Sequence, residues 1–126
     1  MNTSKQISVI IVDDSSVIRG ALKRILETDP NIIIVSSVPN GDDAIKMARN
    51  KKPDIMLLDV EMPVMDGLRA SKLILRQGGR SGGTPQIVAL TAHVMQDIRD
   101  QFKSIGVHEF LVKPVMLDDI SRVFSD

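Results

Sequence analysis

The sequence predicts an α/β protein, a doubly wound parallel sheet of five strands with five helices on both faces. Three observations lead to this prediction: five short aliphatic runs, a stretch with helical spacing after each run, and a length of 126 residues. The aliphatic runs are continuous and mostly rich in β-branched residues, which is typical of strands buried on both faces. A chain of this length suits one domain, and we expect residues 1–126 to form it without an output domain.

Strands and helices alternate along the chain. The predicted strands are residues 9–12, 32–35, 55–58, 87–90 and 110–112. Apolar residues recur at spacings of three and four in the stretches that follow, which predicts amphipathic helices within residues 18–26, 44–48, 68–75, 94–105 and 117–124. Short, regular crossovers of this kind give a parallel sheet that is covered by helices on both faces.

Several residues mark the predicted ends of the helices. Pro30 and Pro53, each with the residue before it, are expected to end the first and second helices. Asp14 or Ser15 is a candidate cap for the first helix, and Asp66 for the third.

A glycine-rich stretch covers residues 77–84. Gly78 and Gly83 have the spacing of a phosphate-binding loop, but the Lys of that motif is absent. The stretch also leads from a helix into a strand, whereas a phosphate-binding loop leads from a strand into a helix. We therefore expect a flexible surface loop here.

The composition excludes several classes of function. The 16 Lys and Arg residues balance 16 Asp and Glu residues, so a basic surface for nucleic acid is not expected. Cys is absent, which excludes disulfides, thiolate zinc sites and thiol catalysis. No apolar run approaches the ~18 residues of a membrane span and no signal segment opens the chain, so we expect a cytoplasmic protein without membrane insertion. The charges on the backs of the helices are expected to be solvated surface.

The residues that follow the predicted strands carry the candidate chemistry, because ligands of a doubly wound sheet bind at the carboxyl ends of its strands. These residues are Asp13 and Asp14 after the first strand, Asp59 after the third, Thr91 after the fourth and Lys113 after the fifth. Each close pair of carboxylates repels by several kcal/mol at an effective dielectric of ~20, so the three acids need a cation. Oxygen ligands with room for water favour Mg²⁺, with Mn²⁺ as a substitute.

Thr91 and Lys113 add a hydroxyl and an ammonium group to the carboxylates. A metal, an ammonium group and a hydroxyl around one carboxylate form the set that stabilises a phosphoryl group during transfer. Asp59 is the candidate nucleophile, because strand three is expected to lie beside strand one, and its product would be an aspartyl phosphate.

Four motifs follow the strand ends in a fixed order. They are Asp13-Asp14-Ser15, the run Leu-Asp-Val-Glu-Met-Pro-Val-Met-Asp-Gly over residues 58–67, Thr91-Ala92 and Lys113-Pro114. In these motifs and their spacing, over essentially the whole length, the chain resembles the receiver domain of two-component response regulators. The resemblance implies a single-domain, chemotaxis-regulator-like protein with the flavodoxin-like strand order 2-1-3-4-5.

The resemblance implies a role for each acid. Asp59 would be the phosphoacceptor. Asp14 and Asp59 would bind Mg²⁺ together with the backbone carbonyl of Glu61, and Asp13 would hold the ion through water. The carboxylate of Glu61 itself is expected at the exposed rim of the site.

The resemblance also implies a switch. Thr91 would close on the phosphoryl group, whose charge partner would be Lys113. The inward movement of Thr91 would be coupled to rotation of Phe110, which stands where many relatives carry Tyr. That rotation would alter the face made by helix four, strand five and helix five. The alternative is that Phe110 is an ordinary core aromatic.

The partners implied by the resemblance are a sensor histidine kinase or a histidine phosphotransfer protein, and small phosphodonors are used by many relatives. Residues 13–19 resemble receivers of chemotaxis methylesterases, whereas residues 91–114 resemble receivers fused to hybrid kinases, so the pathway and the downstream target stay open. Glu61 and His93 are candidates for changing the lifetime of the phosphoryl group.

Three other classes of function agree less well with these residues. An aspartate-nucleophile phosphatase would place its metal-binding acids after Asp59, whereas here they precede it. A flavodoxin-like cofactor binder would have to overcome repulsion between Asp13, Asp14 and a flavin phosphate, and no Trp or Tyr is present to stack on the ring. A pseudo-receiver that acts without phosphorylation would not need the complete set of acids, Thr and Lys.

Overall fold

The computed structural model describes residues 6–61, 67–81, 84–92 and 96–124, and of residues 78–81 the backbone alone. Its elements, in chain order, are β1 (Ile7–Val12), α1 (Ser16–Leu26), β2 (Ile32–Val38), α2 (Gly41–Lys51), β3 (Ile55–Asp59), α3 (Gly67–Ser81), β4 (Gln86–Thr91), α4 (Gln96–Ser104), β5 (Glu109–Val112) and α5 (Leu117–Phe124). The strands pair in parallel in the order β2-β1-β3-β4-β5. The predicted fold class and strand order are confirmed.

The sheet separates two apolar layers, because successive residues of a strand point to opposite faces. Ile10 and Leu58 pack with residues of α2, α3 and α4 on one face. Ile11 and Leu57 pack with residues of α1 and α5 on the other face. All four side chains are fully buried, so the continuous aliphatic runs are covered on both sides. No helix in the described part of the chain has the length and apolar character that a membrane span requires.

The edge strand β2 is longer than its aliphatic run and continues through two serines to Val38. Its register with β1 shifts between Val9 and Ile10, which accommodates Val35 as one extra residue. Polar residues are tolerated here because an edge strand is less completely covered than the central strands.

The ends of α1 and α2 agree with the sequence only in part. α1 ends at Leu26, the last residue of its predicted apolar stripe, so the expectation that Pro30 and the residue before it end this helix is wrong. The hydroxyl of Thr28 donates to the carbonyl of Ile25 at 2.7 Å and competes with the helical hydrogen bonds of the last turn. α2 ends as expected, with Lys52 in the left-handed conformation directly before the proline.

α3 continues to Ser81 through the glycine-rich stretch that was expected to be a loop, so that prediction is wrong for residues 77–81. A glycine costs only about 1 kcal/mol in a helix, which tertiary contacts outweigh. One such contact is close by: Nε of Arg49 in α2 donates to Oε1 of Gln77 at 2.8 Å. The candidate cap Asp66 lies outside the described residues.

Gly67 begins α3 against the end of β3. A Cβ at this position would lie 2.5 Å from the backbone oxygen of Asp59 and 2.6 Å from Cα of Val60. The Gly67 N–H donates to the Val60 carbonyl at 3.2 Å, which fixes this close approach. Only glycine fits here without a backbone shift, so α3 is packed directly on the strand that carries Asp59.

We expect Gly67→Ala to lower the free energy of unfolding by about 2 kcal/mol or more, because the added methyl group overlaps backbone atoms that cannot turn aside. Gly20→Ala is the matched control. A Cβ at Gly20 in α1 meets nothing within 4 Å, so alanine is expected to stabilise the helix by about 0.5–1 kcal/mol. Urea unfolding measures both variants, and equal stabilities would contradict the close approach at Gly67.

Candidate functional site

Four strands deliver polar side chains to one edge of the sheet. Asp13 directly follows β1, Asp59 ends β3, Thr91 ends β4 and Lys113 directly follows β5. All strands are parallel, so their carboxyl ends lie at the same edge. The structure therefore brings together the residues that the sequence singled out after the strands.

Asp13 and Asp59 are buried carboxylates that share one ammonium group. Nζ of Lys113 lies 2.8 Å from Oδ2 of Asp13 and 3.2 Å from Oδ1 of Asp59. The two carboxylates are 0% and 3% exposed, and the Lys113 side chain is 18% exposed. A buried charge without its partner is strongly destabilising, so both acids depend on this lysine.

Backbone donors hold each carboxylate in place. The N–H of Ser15 donates to Oδ1 of Asp13 at 3.0 Å, and the N–H of Glu61 donates to Oδ1 of Asp59 at 3.1 Å. Each donor lies two residues after its acid, so the chain turns around the carboxylate that it holds. Nη1 of Arg19 in α1 donates to the Asp13 carbonyl at 2.7 Å and ties the helix to the strand end. Arg19 was not identified from the sequence.

The electrostatic surroundings shift the pKa values of Asp59 and Lys113. Burial raises the pKa of Asp59, and the neighbouring Asp13 raises it further against the opposing effects of the Glu61 N–H and Lys113. Burial lowers the pKa of Lys113, but contacts with Asp13 and Asp59 outweigh burial and hold this pKa above its ordinary value. Lys113 is thus cationic at neutral pH, and its charge favours the ionised form of Asp59.

Asp14 completes an acidic cluster. Asp13, Asp14 and Asp59 each offer one carboxylate oxygen, and these three oxygens lie within 4.8 Å of one another. Asp14 is exposed and does not cap α1, since the hydroxyl of Ser15 accepts the N–H of Ile18 at 3.2 Å. An all-oxygen donor set with one side open to water fits a hard divalent cation such as Mg²⁺.

Glu61 and Thr91 flank this cluster. Glu61 is exposed, as expected, and the role of its carbonyl as a metal ligand stays a prediction. Thr91 is buried, and its backbone carbonyl accepts the N–H of Lys113 at 2.9 Å, which joins the ends of β4 and β5. His93 lies outside the described residues.

Phe110 lies inside the core next to β4. Its ring centroid is 5.9 Å from that of Phe102 in a nearly perpendicular arrangement, and Cζ of Arg99 in α4 lies 5.5 Å from the Phe110 centroid. The ring is packed as a core aromatic in this structure, and its rotation stays a prediction. Arg99 was missed in the sequence, because a cation over a ring from another element leaves no mark on local spacing.

Comparison with known proteins gives a family match and close relatives. The family model described as the response regulator receiver domain matches residues 9–124. The protein-glutamate methylesterase/protein-glutamine glutaminase of Halalkalibacterium halodurans is 43% identical over 111 residues, which cover 86% of this chain and 31% of that protein. The chain therefore spans about a third of the length of this curated relative.

Solved structures show the same fold. The response regulator domain of Thermotoga maritima CheB is similar with a TM-score of 0.79 and 28% identity, covering 91% of this chain and 86% of that one. The CheX–CheY complex with BeF₃⁻ and Mg²⁺ from Borrelia burgdorferi contains a chain that is similar with a TM-score of 0.83 and 24% identity, covering 97% and 92%. Both agree with the sheet and the five helices described above.

We expect Lys113→Met to lower the free energy of unfolding by about 3 kcal/mol near pH 8 without divalent cations, because two buried carboxylates lose their cation. Lys113 lowers the pKa of Asp59, so its removal raises that folded-state pKa further above the unfolded value. The folded variant then binds more protons than the unfolded chain. Its loss in free energy of unfolding relative to wild type therefore shrinks as the pH falls through the pKa of Asp59.

Urea unfolding with EDTA between about pH 5 and 8 measures this change. Lys103→Met, at an exposed position of α4, is the matched control and is expected to change stability by less than about 0.5 kcal/mol. If Lys113→Met lowers the free energy of unfolding by the same amount at every pH, this would argue against the shared ammonium group.

Proposed function

Because the chain belongs to the response regulator receiver domain family, we propose that it is a phosphorylatable signalling switch with Asp59 as the phosphoacceptor. The donor is a phosphohistidine of a sensor histidine kinase or a histidine phosphotransfer protein. The observation that carries this proposal is the meeting of Asp13, Asp14, Asp59 and Lys113 at one edge of the sheet.

The contacts of Asp59 favour one of its oxygens as the nucleophile. Within the described residues, the N–H of Glu61 and the ammonium group of Lys113 both contact Oδ1. Oδ2 is left to attack phosphorus. The Oδ2–P bond forms while the P–N bond of the phosphohistidine breaks, and the electron pair of that bond returns to the imidazole.

The residues around Asp59 support transfer by holding positive charge near the phosphoryl group. Asp14, Asp59 and the Glu61 carbonyl would hold Mg²⁺ directly, with Asp13 acting through water and Mn²⁺ as a possible substitute. The ion would neutralise charge on the phosphoryl oxygens. Lys113 would neutralise charge on the same group from the end of β5.

Thr91 and Phe110 carry the proposed output. The Thr91 hydroxyl donates a hydrogen bond to the phosphoryl group, and its movement opens space for the Phe110 ring to turn. Because Phe110 packs against Phe102 and lies under Arg99, any rotation must change how α4 rests on β5. A local change of charge thereby alters the α4-β5-α5 face, which binds the downstream target.

We propose no activity on external substrates for these residues beyond self-phosphorylation and dephosphorylation. The methylesterase relative is about three times as long as the matched region, so the reaction in its name is not carried over to this chain. Glu61 is proposed to influence phosphoryl lifetime through its exposed negative charge near the site.

We expect Asp59→Asn to abolish phosphorylation, because the amide cannot act as the nucleophile. The protein is incubated with Mg²⁺ and a phosphohistidine donor or a small acyl phosphate, and intact mass spectrometry counts bound phosphoryl groups. Asp118→Asn, at an exposed position of α5, is the matched control and should be labelled like wild type. A labelled Asp59→Asn protein, or a label that survives hydroxylamine, would rule out the acyl phosphate at Asp59.

The same assay tests the metal. EDTA should prevent labelling, and Asp14→Asn should raise the Mg²⁺ concentration for half-maximal labelling at least about tenfold, since it loses a ligand without disturbing the core. Unchanged labelling in EDTA would contradict the requirement for Mg²⁺ but would leave Asp59 as the proposed phosphoacceptor.

Fluorine NMR tests the switch, because the chain has only three Phe and no Trp or Tyr. With 4-fluorophenylalanine incorporated, BeF₃⁻ and Mg²⁺ are expected to shift the Phe110 signal and, through the edge-to-face contact, that of Phe102. Phe124 ends α5 and packs in the opposite layer with α1 residues, so its signal is expected to shift less than that of Phe110. If the Phe110 signal does not shift when the protein is saturated with BeF₃⁻ and Mg²⁺, this ring is only a core residue.

A further inference from the structure

A line of cations runs along α3, and the proposed function does not use it. Arg69, Lys72 and Arg76 follow one another at spacings of three and four, which places them on one face of the helix. α3 contains no Asp or Glu, and Arg69, Lys72 and Arg76 are exposed. A chain with zero net charge therefore has a local excess of positive charge here.

Arg76 borders a cleft between α2 and α3. This α2–α3 cleft has a volume of about 460 Å³ and is lined by Ile45, Arg49, Leu73, Arg76 and Gln77. The contact from Arg49 Nε to Gln77 Oε1, at 2.8 Å, fixes the orientation of the Gln77 amide. Its Nε2 is buried and has no acceptor among the described residues.

The α2–α3 cleft thus offers more hydrogen-bond donors than acceptors. Two guanidinium groups and one amide N–H₂ line it, and none of its lining residues is acidic. No described carboxylate forms an ion pair with Arg49, Lys72 or Arg76. A buried donor without an acceptor and neighbouring like charges both cost free energy. An anionic group that enters the cleft would relieve the repulsion between the like charges.

We propose that the α2–α3 cleft and the cations of α3 bind an acidic, amphipathic helical segment of a partner protein. One carboxylate of the segment is held by the guanidinium groups of Arg49 and Arg76, beside the Gln77 side chain. Further acids of the segment follow the cations of α3, whose line from Arg69 to Arg76 is ~10 Å long. This contact involves none of the residues of the phosphoryl site.

Aliphatic residues beside the cations favour a protein segment over other polyanions. Two of the residues that line the α2–α3 cleft are aliphatic, and a second cleft of about 400 Å³ is lined by Lys72, Leu75, Arg76 and Ile105. Arg76 stands between the two clefts, so each side of it offers an apolar wall next to a positive charge. An amphipathic helix places leucines and acids at such alternating positions.

Nucleic acid and membrane surfaces fit less well. Stacking on bases needs exposed aromatic rings, but Phe102, Phe110 and Phe124 are buried. Binding in a membrane surface needs exposed apolar anchors, and the large exposed hydrophobic residues of the described chain lie outside α2 and α3.

The probe for this proposal is a synthetic helical peptide of about 15 residues, long enough to span the line of cations. It carries Glu at i and i+4 positions with Leu beside them, and a matched peptide has Gln in place of every Glu. Titration into ¹⁵N-labelled protein gives both the affinity and the position of the contact from amide shifts. We expect shifts in α2 and α3, binding that weakens with salt, and at least about tenfold weaker binding of the Gln peptide.

Variants of the protein distinguish binding at the α2–α3 cleft from nonspecific attraction to positive charge. Arg49→Ala with Arg76→Ala should weaken binding of the Glu peptide at least about tenfold, whereas Lys23→Ala with Arg24→Ala, at exposed positions of α1, should leave it unchanged. Gln77→Glu supplies the missing acceptor within the chain. It should therefore bind the peptide at least about tenfold more weakly while its thermal stability equals or exceeds that of wild type, which excludes misfolding as the cause.

Several outcomes would overturn the proposal. They are equal binding of the Glu and Gln peptides, amide shifts outside α2 and α3, or equal losses in both double variants. Tighter binding of a single-stranded RNA oligonucleotide or of anionic phospholipid vesicles than of the Glu peptide would assign the surface to those ligands instead.

Discussion

The structure depends on one ammonium group placed between two buried carboxylates. Asp13 and Asp59 stand at the ends of neighbouring strands, and Lys113 reaches both from the end of β5. Their mutual repulsion is not relieved by separation, because apolar layers on both faces hold the strands in register. The core thus holds two carboxylates close together, an arrangement that is electrostatically unfavourable without the Lys113 ammonium group. Under the proposed function, this arrangement would take up Mg²⁺ and a phosphoryl group together.

The parts of this structure that could be predicted from the sequence are those that topology alone determines. Five aliphatic runs define the sheet, and parallel strands must place Asp13, Asp59, Thr91 and Lys113 at one edge. The end of α1 and the extension of α3 were misplaced, because local competition at Thr28 and packing of α3 on α2 decide them. Arg19 and Arg99 were missed for a related reason, since each acts on a residue of another element.

The cations of α3 could be found from the sequence, whereas the α2–α3 cleft beside them could be found only from the packing of the helices. The three-and-four spacing of its cations is visible in the sequence once the helix is known to continue to Ser81. The α2–α3 cleft is not visible, because its donors come from segments that are about thirty residues apart and meet only through helix packing. A balanced total charge therefore says little about where charge is concentrated.

That balance has a consequence for the way in which partners approach. A neutral chain exerts no net attraction at long range, but the acids at the edge of the sheet and the cations along α3 each produce a local field. Such a field turns an incoming charged molecule before contact and selects which of its sides arrives first. Under the two proposals, the phosphodonor and the acidic segment would occupy separate surfaces of one small molecule without competing.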